Sequence, residues 1–271
     1  MVFTGRLKKM AFENVGDEFR IKPNYKIELA NSSINFNALL GHKIEIKFLG
    51  RITCSACGKT TRKSYGQGYC YPCFISVPET EECVLRPELC RAHEGIARDI
   101  EYAKTHCLIN HYVYLAQSGG LKVGVTRYHQ IPTRWVDQGA NRAIIVAETA
   151  NRFTAGQLEV ALKESFADKT NWRNMLMGIS DNVNLIEKKQ LALEIVNNKG
   201  YNFTVPTNSE YSITYPVELY PKKVTSINLD KTNEIEGVLA GIKGQYLLFS
   251  DGRVLNIRTH TGYEVAIKST I

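Results

Sequence analysis

No stretch of the 271 residues approaches eighteen consecutive apolar positions, so a membrane-spanning helix is not expected. The opening MVFTGRLKKM has no apolar run of the signal-peptide kind, and the expected location is the cytoplasm. A Ser/His/Asp order, a P-loop and a dinucleotide fingerprint are missing too. No small-molecule cofactor is therefore indicated. Without an internal repeat or a low-complexity linker, the units of the chain should pack together. An apolar share of 44 % is ordinary for a globular protein and allows a sizeable core. The length suits two or three small units, or one large domain with an appendage.

The net charge of +7 is unevenly spread. Residues 1–75 hold 12 of the 34 Lys and Arg but only 5 of the 27 acids, which leaves 22 of each sign for the remainder. A localised basic surface suits a polyanion, because phosphate contacts release counterions. DNA or RNA is therefore the expected partner, with a solvated basic face as the plain alternative. Nothing in the sequence fixes the oligomeric state.

Alternation of apolar and polar residues in YKIELA and KIEIKFLG, with the turn residues NSS and GH between runs, predicts antiparallel strands leading into a cysteine-rich segment. Charged stretches such as EGIARDIEYAKTH read as helical. HYVYLAQSGGLKVGVTR is two β-rich runs around a polar turn, and AIIVAET is a third, buried strand. A proline near a helix start marks IPTRWVDQGANRA. Leu158, Ala161, Leu162 and Phe166 share one side of a predicted helix, and NLIEKKQLALEIVNN is a second. Strands return in YSITYPVELYP, GVLAGIKGQYLLFSDGRVLNIR and YEVAIKS, with an Asp-Gly hairpin turn. The fold class is α+β. The expected units are a β-rich region with a zinc ribbon (1–80), a second Cys/His segment (81–110), an α+β domain (111–202) and a small β-barrel-like domain (203–271).

Seven cysteines in a reducing compartment read as metal ligands or buried thiols rather than disulfides. Cys54 and Cys57 form one CxxC pair, Cys70 and Cys73 a second, with twelve residues between them. That is close to zinc-ribbon spacing, and each knuckle brings two thiolates to a tetrahedral ion. Cys83, Cys90, His93 and Cys107 are candidates for a second zinc, with His106 or His111 as substitutes. Four-ligand zinc leaves no open position, so Zn²⁺ here should be structural. Between the two CxxC pairs lies a basic, aromatic stretch. Lys59, Arg62, Lys63, Tyr65 and Tyr69 suit phosphate contact and base stacking, as a merely solvated ribbon tip would also look. Trp135 and Trp172 read as core aromatics, and His129 as a loop histidine.

Residues 112–171 resemble the GIY-YIG nuclease superfamily. There, a hairpin bears two tyrosines, an arginine follows on the next helix, and a later helix supplies a glutamate that binds a divalent metal. By that resemblance Tyr114 (or Tyr112) stands in the first motif, and Lys122, Val123 and Gly124 replace the second. Arg134 matches the arginine, Glu159 the metal glutamate and Asn171 the asparagine that often follows; Arg127, at the end of the hairpin, joins Lys59, Arg62, Lys63 and Tyr65 as a candidate for nucleic-acid contact. Lys122 in place of a tyrosine and Gln138 in place of a histidine depart from the pattern. The whole chain is also similar to an uncharacterised bacterial family of unknown function.

The resemblance implies Mg²⁺ or Mn²⁺ at Glu159, with Arg134 stabilising phosphoryl charge and a tyrosine phenol as base or relay. Lys122 serves either as a base of lowered pKa or as a phosphate grip. The expected function is a nucleic-acid-binding protein with a GIY-YIG-like core, as a metal-dependent endonuclease. The alternatives are a non-catalytic zinc-containing DNA- or RNA-binding module and a protein-interaction scaffold. The expectation common to the first two is that Tyr114, Lys122, Arg134 and Glu159 converge on one concave, cationic surface.

Overall fold

The computed structural model describes residues 1–29, 32–167, 169 and 171–270. The expected NSS turn begins at Asn31, outside the described residues, as do Asp168 and Thr170 of the DKT run. The chain is α+β. No helix among the described residues is long and apolar enough to cross a membrane.

The first part of the chain supplies strands β1 (Val2–Arg6), β2 (Ala11–Asn14), β3 (Arg20–Ile21), β4 (Pro23–Leu29), β5 (Ser32–Asn35) and β6 (Lys43–Thr53), then the short β7 (Thr60–Thr61). In β4, Tyr25, Ile27 and Leu29 are buried while Glu28 is exposed, the period-two pattern of a strand with one covered face. Helix α1 (Tyr71–Ser76) starts at the second CxxC pair, and α2 (Ile100–His106) follows four short 3₁₀ turns. The helix expected over EGIARDIEYAKTH is shorter than read, because Asp99 caps α2 by accepting from the Tyr102 amide at 2.9 Å.

Strands β8 (His111–Gln117) and β9 (Leu121–Arg127) form the predicted hairpin. Helix α3 (Thr133–Asp137) and strand β10 (Arg142–Thr149) come next, and β10 pairs with β8. Helices α4 (Arg152–Lys163), α5 (Trp172–Leu176) and α6 (Leu185–Asn197) follow. Asn151 caps α4, and Asn171 caps α5. The last segment holds β11 (Glu210–Ile213), β12 (Thr225–Ile227), β13 (Glu234–Lys243), β14 (Tyr246–Phe249), β15 (Arg253–Asn256) and β16 (Tyr263–Ser269). β14 and β15 pair across the Asp-Gly turn as expected. YSITYPVELYP is strand only as far as Ile213; Pro216, which has no N–H for a ladder, lies just beyond.

One sheet runs β1-β16-β6-β13-β14-β15-β12, with β7 beside β6. The regions read as two units, 1–80 and 203–271, thus share this sheet, in which β6 sits between β16 and β13. A second sheet runs β3-β11-β10-β8-β9, and a third β2-β4-β5.

These pieces stack in three layers around the five-stranded sheet. Val113, Leu115, Val123, Ile144 and Val146 meet Leu158 and Leu162 of α4 and Ala192 and Val196 of α6 on one face. Tyr114, Ala116, Ala143 and Ile145 meet Trp135, Ile27, Ile46, Leu239 and Ile267 of the β region on the other. Alternation along β8 sends successive side chains to opposite cores, which is why the strand reads as almost unbroken apolar sequence.

Candidate functional site

The CxxC knuckles bring Cys54, Cys57, Cys70 and Cys73 together, their sulfurs all within 4.8 Å of one another. A tetrahedral ion with metal–sulfur bonds of about 2.3 Å separates its sulfurs by about 3.8 Å. Cys57 Sγ lies 3.8 Å from Cys70 Sγ. The Cys70 amide donates to Cys54 Sγ at 3.2 Å, the kind of bond that stabilises a ligating thiolate. Burial opposes the Cys54 thiolate, but the amides of Cys57, Cys70 and Ala56 and the Cys57 side chain outweigh it and bring the thiol down to about 6. Cys73 is pushed up to about 12, first by its hydrogen bond with Cys70 and then by burial. The set can hold a metal ion such as zinc.

A second cluster joins Cys83, Cys90 and Cys107, all buried and also within 4.8 Å of one another. The expected histidine ligand is corrected. His93 stacks on Phe153 with centroids 4.4 Å apart, and its Nε2 faces Glu94 at 3.7 Å. Neither substitute replaces it: His106 Nδ1 lies 3.1 Å from the Tyr102 carbonyl, and His111 Nδ1 2.7 Å from the Ile109 carbonyl. What approaches the cluster is Arg152, whose Nη1 donates to Cys83 Sγ at 3.3 Å. Hydrogen bonds from Cys107 and Cys90 bring Cys83 down to about 2 against the cost of burial, with Arg152 adding to the effect. These three thiols can also hold a metal ion.

The cysteine segment is seated on α4 through Gly156. A Cβ there would lie 2.2 Å from the Glu88 amide nitrogen and 2.4 Å from the Pro87 carbonyl carbon, so only glycine lets the 3₁₀ turn Pro87–Leu89 rest on the helix.

Between this segment, β9, α3 and the 3₁₀ turn Arg258–His260 opens a cavity of about 280 Å³. Lys9, Arg127, Arg134, Arg152 and Arg258 line it, with His111, Thr126, Gln130 and one carboxylate, Asp137; Val84 and Pro87 form a wall. Lys9 holds Asp137 at 2.6 Å, and Gln245 donates to its other oxygen at 2.9 Å. Arg134 Nε and His111 Nε2 are buried without a hydrogen-bond partner among the described residues. Burial lowers Arg258, with Asp137 opposing and Arg134 adding to the fall. Burial likewise brings His111 down to about 4; its bond to the Ile109 carbonyl opposes the fall, and Arg152, Arg127 and His129 deepen it.

Of the residues read from the sequence, Arg134, Arg127 and His111 line this cavity. Tyr114 lies behind it, fully buried, its hydroxyl donating to Gln138 Oε1 at 3.0 Å. Burial raises its phenol; the Arg134 guanidinium beside it opposes the rise, and the Glu159 carboxylate adds to it. Gly124 stands opposite Tyr114, and a Cβ there would lie 2.6 Å from the tyrosine oxygen.

The expected single concave surface is corrected. Tyr112 packs against the core, Lys122 is buried opposite Ala116, and Glu159 is 8 % exposed with Lys163 at 3.4 Å; none of the three lines the cavity. The reason is the β region, which covers the face of β8 and β9 that carries Tyr112, Tyr114 and Lys122.

Lys59, Arg62, Lys63 and Tyr65 line a separate groove of about 440 Å³ on the ribbon. Lys63 Nζ sits 5.3 Å from the Tyr65 ring centroid, and Tyr65 also packs edge-on to Tyr71. Gln67 of the ribbon accepts from Arg258 Nε, tying the ribbon to the cavity wall. Sequence reasoning missed Lys9, Asp137, Arg152 and Arg258, whose local patterns carry no signal; pairing of β1 with β16 and the packing of the layers assemble them.

No curated protein and no solved structure matches the chain. The model of the family described as "Protein of unknown function (DUF2797)" matches residues 41–265, which take in both cysteine clusters, the hairpin and nearly all of the cavity, and the chain belongs to that family.

Proposed function

We propose that this protein binds nucleic acid, DNA or RNA, seating a phosphate in the arginine-lined cavity while the basic ribbon tip meets the neighbouring strand. The charge imbalance of the cavity carries the reading: among the described residues, five cations surround one carboxylate, and Lys9 already pairs with that carboxylate. Such cations repel one another where water is scarce, and an anion relieves them. Guanidinium forks match phosphate oxygens two at a time. Exposed Lys59, Arg62 and Lys63 extend the cationic surface, and Tyr65 offers a ring for a base. The ions of the cysteine clusters are read as structural zinc, which thiolates favour.

Anisotropy of a labelled oligonucleotide tests this. Affinity should fall steeply between about 50 and 200 mM salt. Arg134→Ala and Arg127→Ala should each weaken binding and lower the salt slope by about 1. Affinity that is flat in salt, or unchanged from wild type in both variants, overturns the reading.

Phosphodiester hydrolysis is the second reading, and one observation favours it. The Arg134 guanidinium and the Glu159 carboxylate both act on the buried Tyr114 phenol, and hairpin, arginine helix and glutamate helix follow in the order that the GIY-YIG resemblance implies. The residues fit a divalent cation poorly. Glu159 is buried beside Lys163, and among the described residues it belongs to no group of three or more metal-ligating side chains, whereas Mg²⁺ asks for six oxygens. Holding without cutting is therefore preferred. Cleavage of single-stranded, duplex or branched substrates that needs Mg²⁺ or Mn²⁺ and disappears in Glu159→Gln would reverse that preference.

A further inference from the structure

Arg152 belongs to two sites at once. It lines the arginine cavity, and the cysteine segment holds it at three points. Its Nη1 donates to Cys83 Sγ at 3.3 Å and its Nη2 to the His106 carbonyl at 3.1 Å, while its amide donates to the Cys107 carbonyl at 2.8 Å. The side chain is only 8 % exposed, so it has little freedom to leave this arrangement. Val84 and Pro87, which wall the cavity, lie on the loop between Cys83 and Cys90. One side of the cavity is thus built on the three-cysteine cluster.

We propose that a metal ion held by Cys83, Cys90 and Cys107 tightens anion binding in the arginine cavity, with Arg152 as the shared group. The proposal rests on the cavity being an anion site, not on the anion being nucleic acid. The sign follows from charge. A bare Cys83 thiolate competes with any anion for the Arg152 guanidinium. A thiolate bound to a cation has given up much of its negative charge to the metal bond, and the guanidinium then turns its charge to the cavity. The charge of a divalent ion is offset by the protons that Cys90 and Cys107 release on binding it, so the effect rests on the bond to Cys83 and on the Val84–Pro87 wall that the ion pins. By linkage, an anion in the cavity must in turn tighten metal binding by the same factor.

The test uses zinc-loaded full chain and inorganic phosphate. A chromophoric chelator titrates zinc out of wild type and Arg152→Gln, each with and without saturating phosphate, so that phosphate's own affinity for zinc cancels. In wild type, phosphate should make one of the zinc ions about tenfold harder to extract. Arg152→Gln should keep its zinc count and lose that protection. Calorimetry adds a second readout: Cys90→Ser should bind phosphate about tenfold more weakly than wild type. Equal protection in Arg152→Gln, or no protection in wild type, overturns the proposal. Should Cys90→Ser fail to fold, the chelator titration alone decides. Phosphate protection without any oligonucleotide affinity would sustain this proposal and remove the nucleic-acid reading.

Discussion

His111 shows how much a single buried side chain is asked to do. Its Nδ1 carries the proton toward the Ile109 carbonyl, and its Nε2 is left bare among arginines. The folded pKa of about 4 lies below the ordinary value of 6.5. Between those two values the unfolded chain binds a proton that the folded chain refuses, so stability should fall as pH drops through that window and level off below it. The group accounts for about 3 kcal/mol at most. Midpoints of thermal unfolding from pH 7 to about pH 4 should therefore decline more steeply in wild type than in His111→Gln; parallel curves would rule His111 out as the cause. Gly124 gives a second prediction at this scale. A Cβ 2.6 Å from the Tyr114 oxygen forces the ring to move, so Gly124→Ala should cost about 1–3 kcal/mol, read as a lower denaturation midpoint. The same midpoint in the variant would mean that the ring is not held over this position. The CxxC ligands were readable because two knuckles at ribbon spacing mean one thing. The Cys83 set was half readable, since three buried thiols announce themselves but the place of His93, stacked on Phe153, depends on packing that no spacing encodes.

Among the elements, the hairpin, β10, α4 and α6 were legible because their periodicity is strong and their turns and caps are local. The joining of 1–80 to 203–271 was not, because the pairing of β1 with β16 and of β6 with β13 brings together residues as far apart in the chain as Val2 and Lys268 or Lys47 and Glu234. The contact between α4 and the Pro87–Leu89 turn is similarly silent in sequence, although a glycine inside a helix is a hint of close approach. Gly156→Ala places a Cβ against backbone rather than against a side chain that can swing away. The turn must lift, and Pro87 leaves the cavity wall with it. Gly156→Ala should lower both phosphate affinity and the unfolding midpoint while zinc bound per chain stays at the wild-type count; unaltered phosphate binding would show that the wall does not depend on this seat.

For the molecule as a whole, the shared sheet makes the chain's two ends interdependent. β16 lies between β1 and β6, and β13 covers the other side of β6. A fragment ending at residue 202 strips β6 of both long neighbours, so it should lack the native β-sheet circular dichroism and melt without cooperativity. A cooperative melt with the full-length strand signal would show instead that residues 1–202 fold alone. The cavity follows the same geometry, taking Lys9 from the beginning of the chain, Arg127, Arg134 and Arg152 from its middle, and Arg258 from near its end. During synthesis, then, the site is finished only when the last strands emerge from the ribosome, and a chain that stops early carries its cysteines and its basic ribbon but never closes its anion pocket.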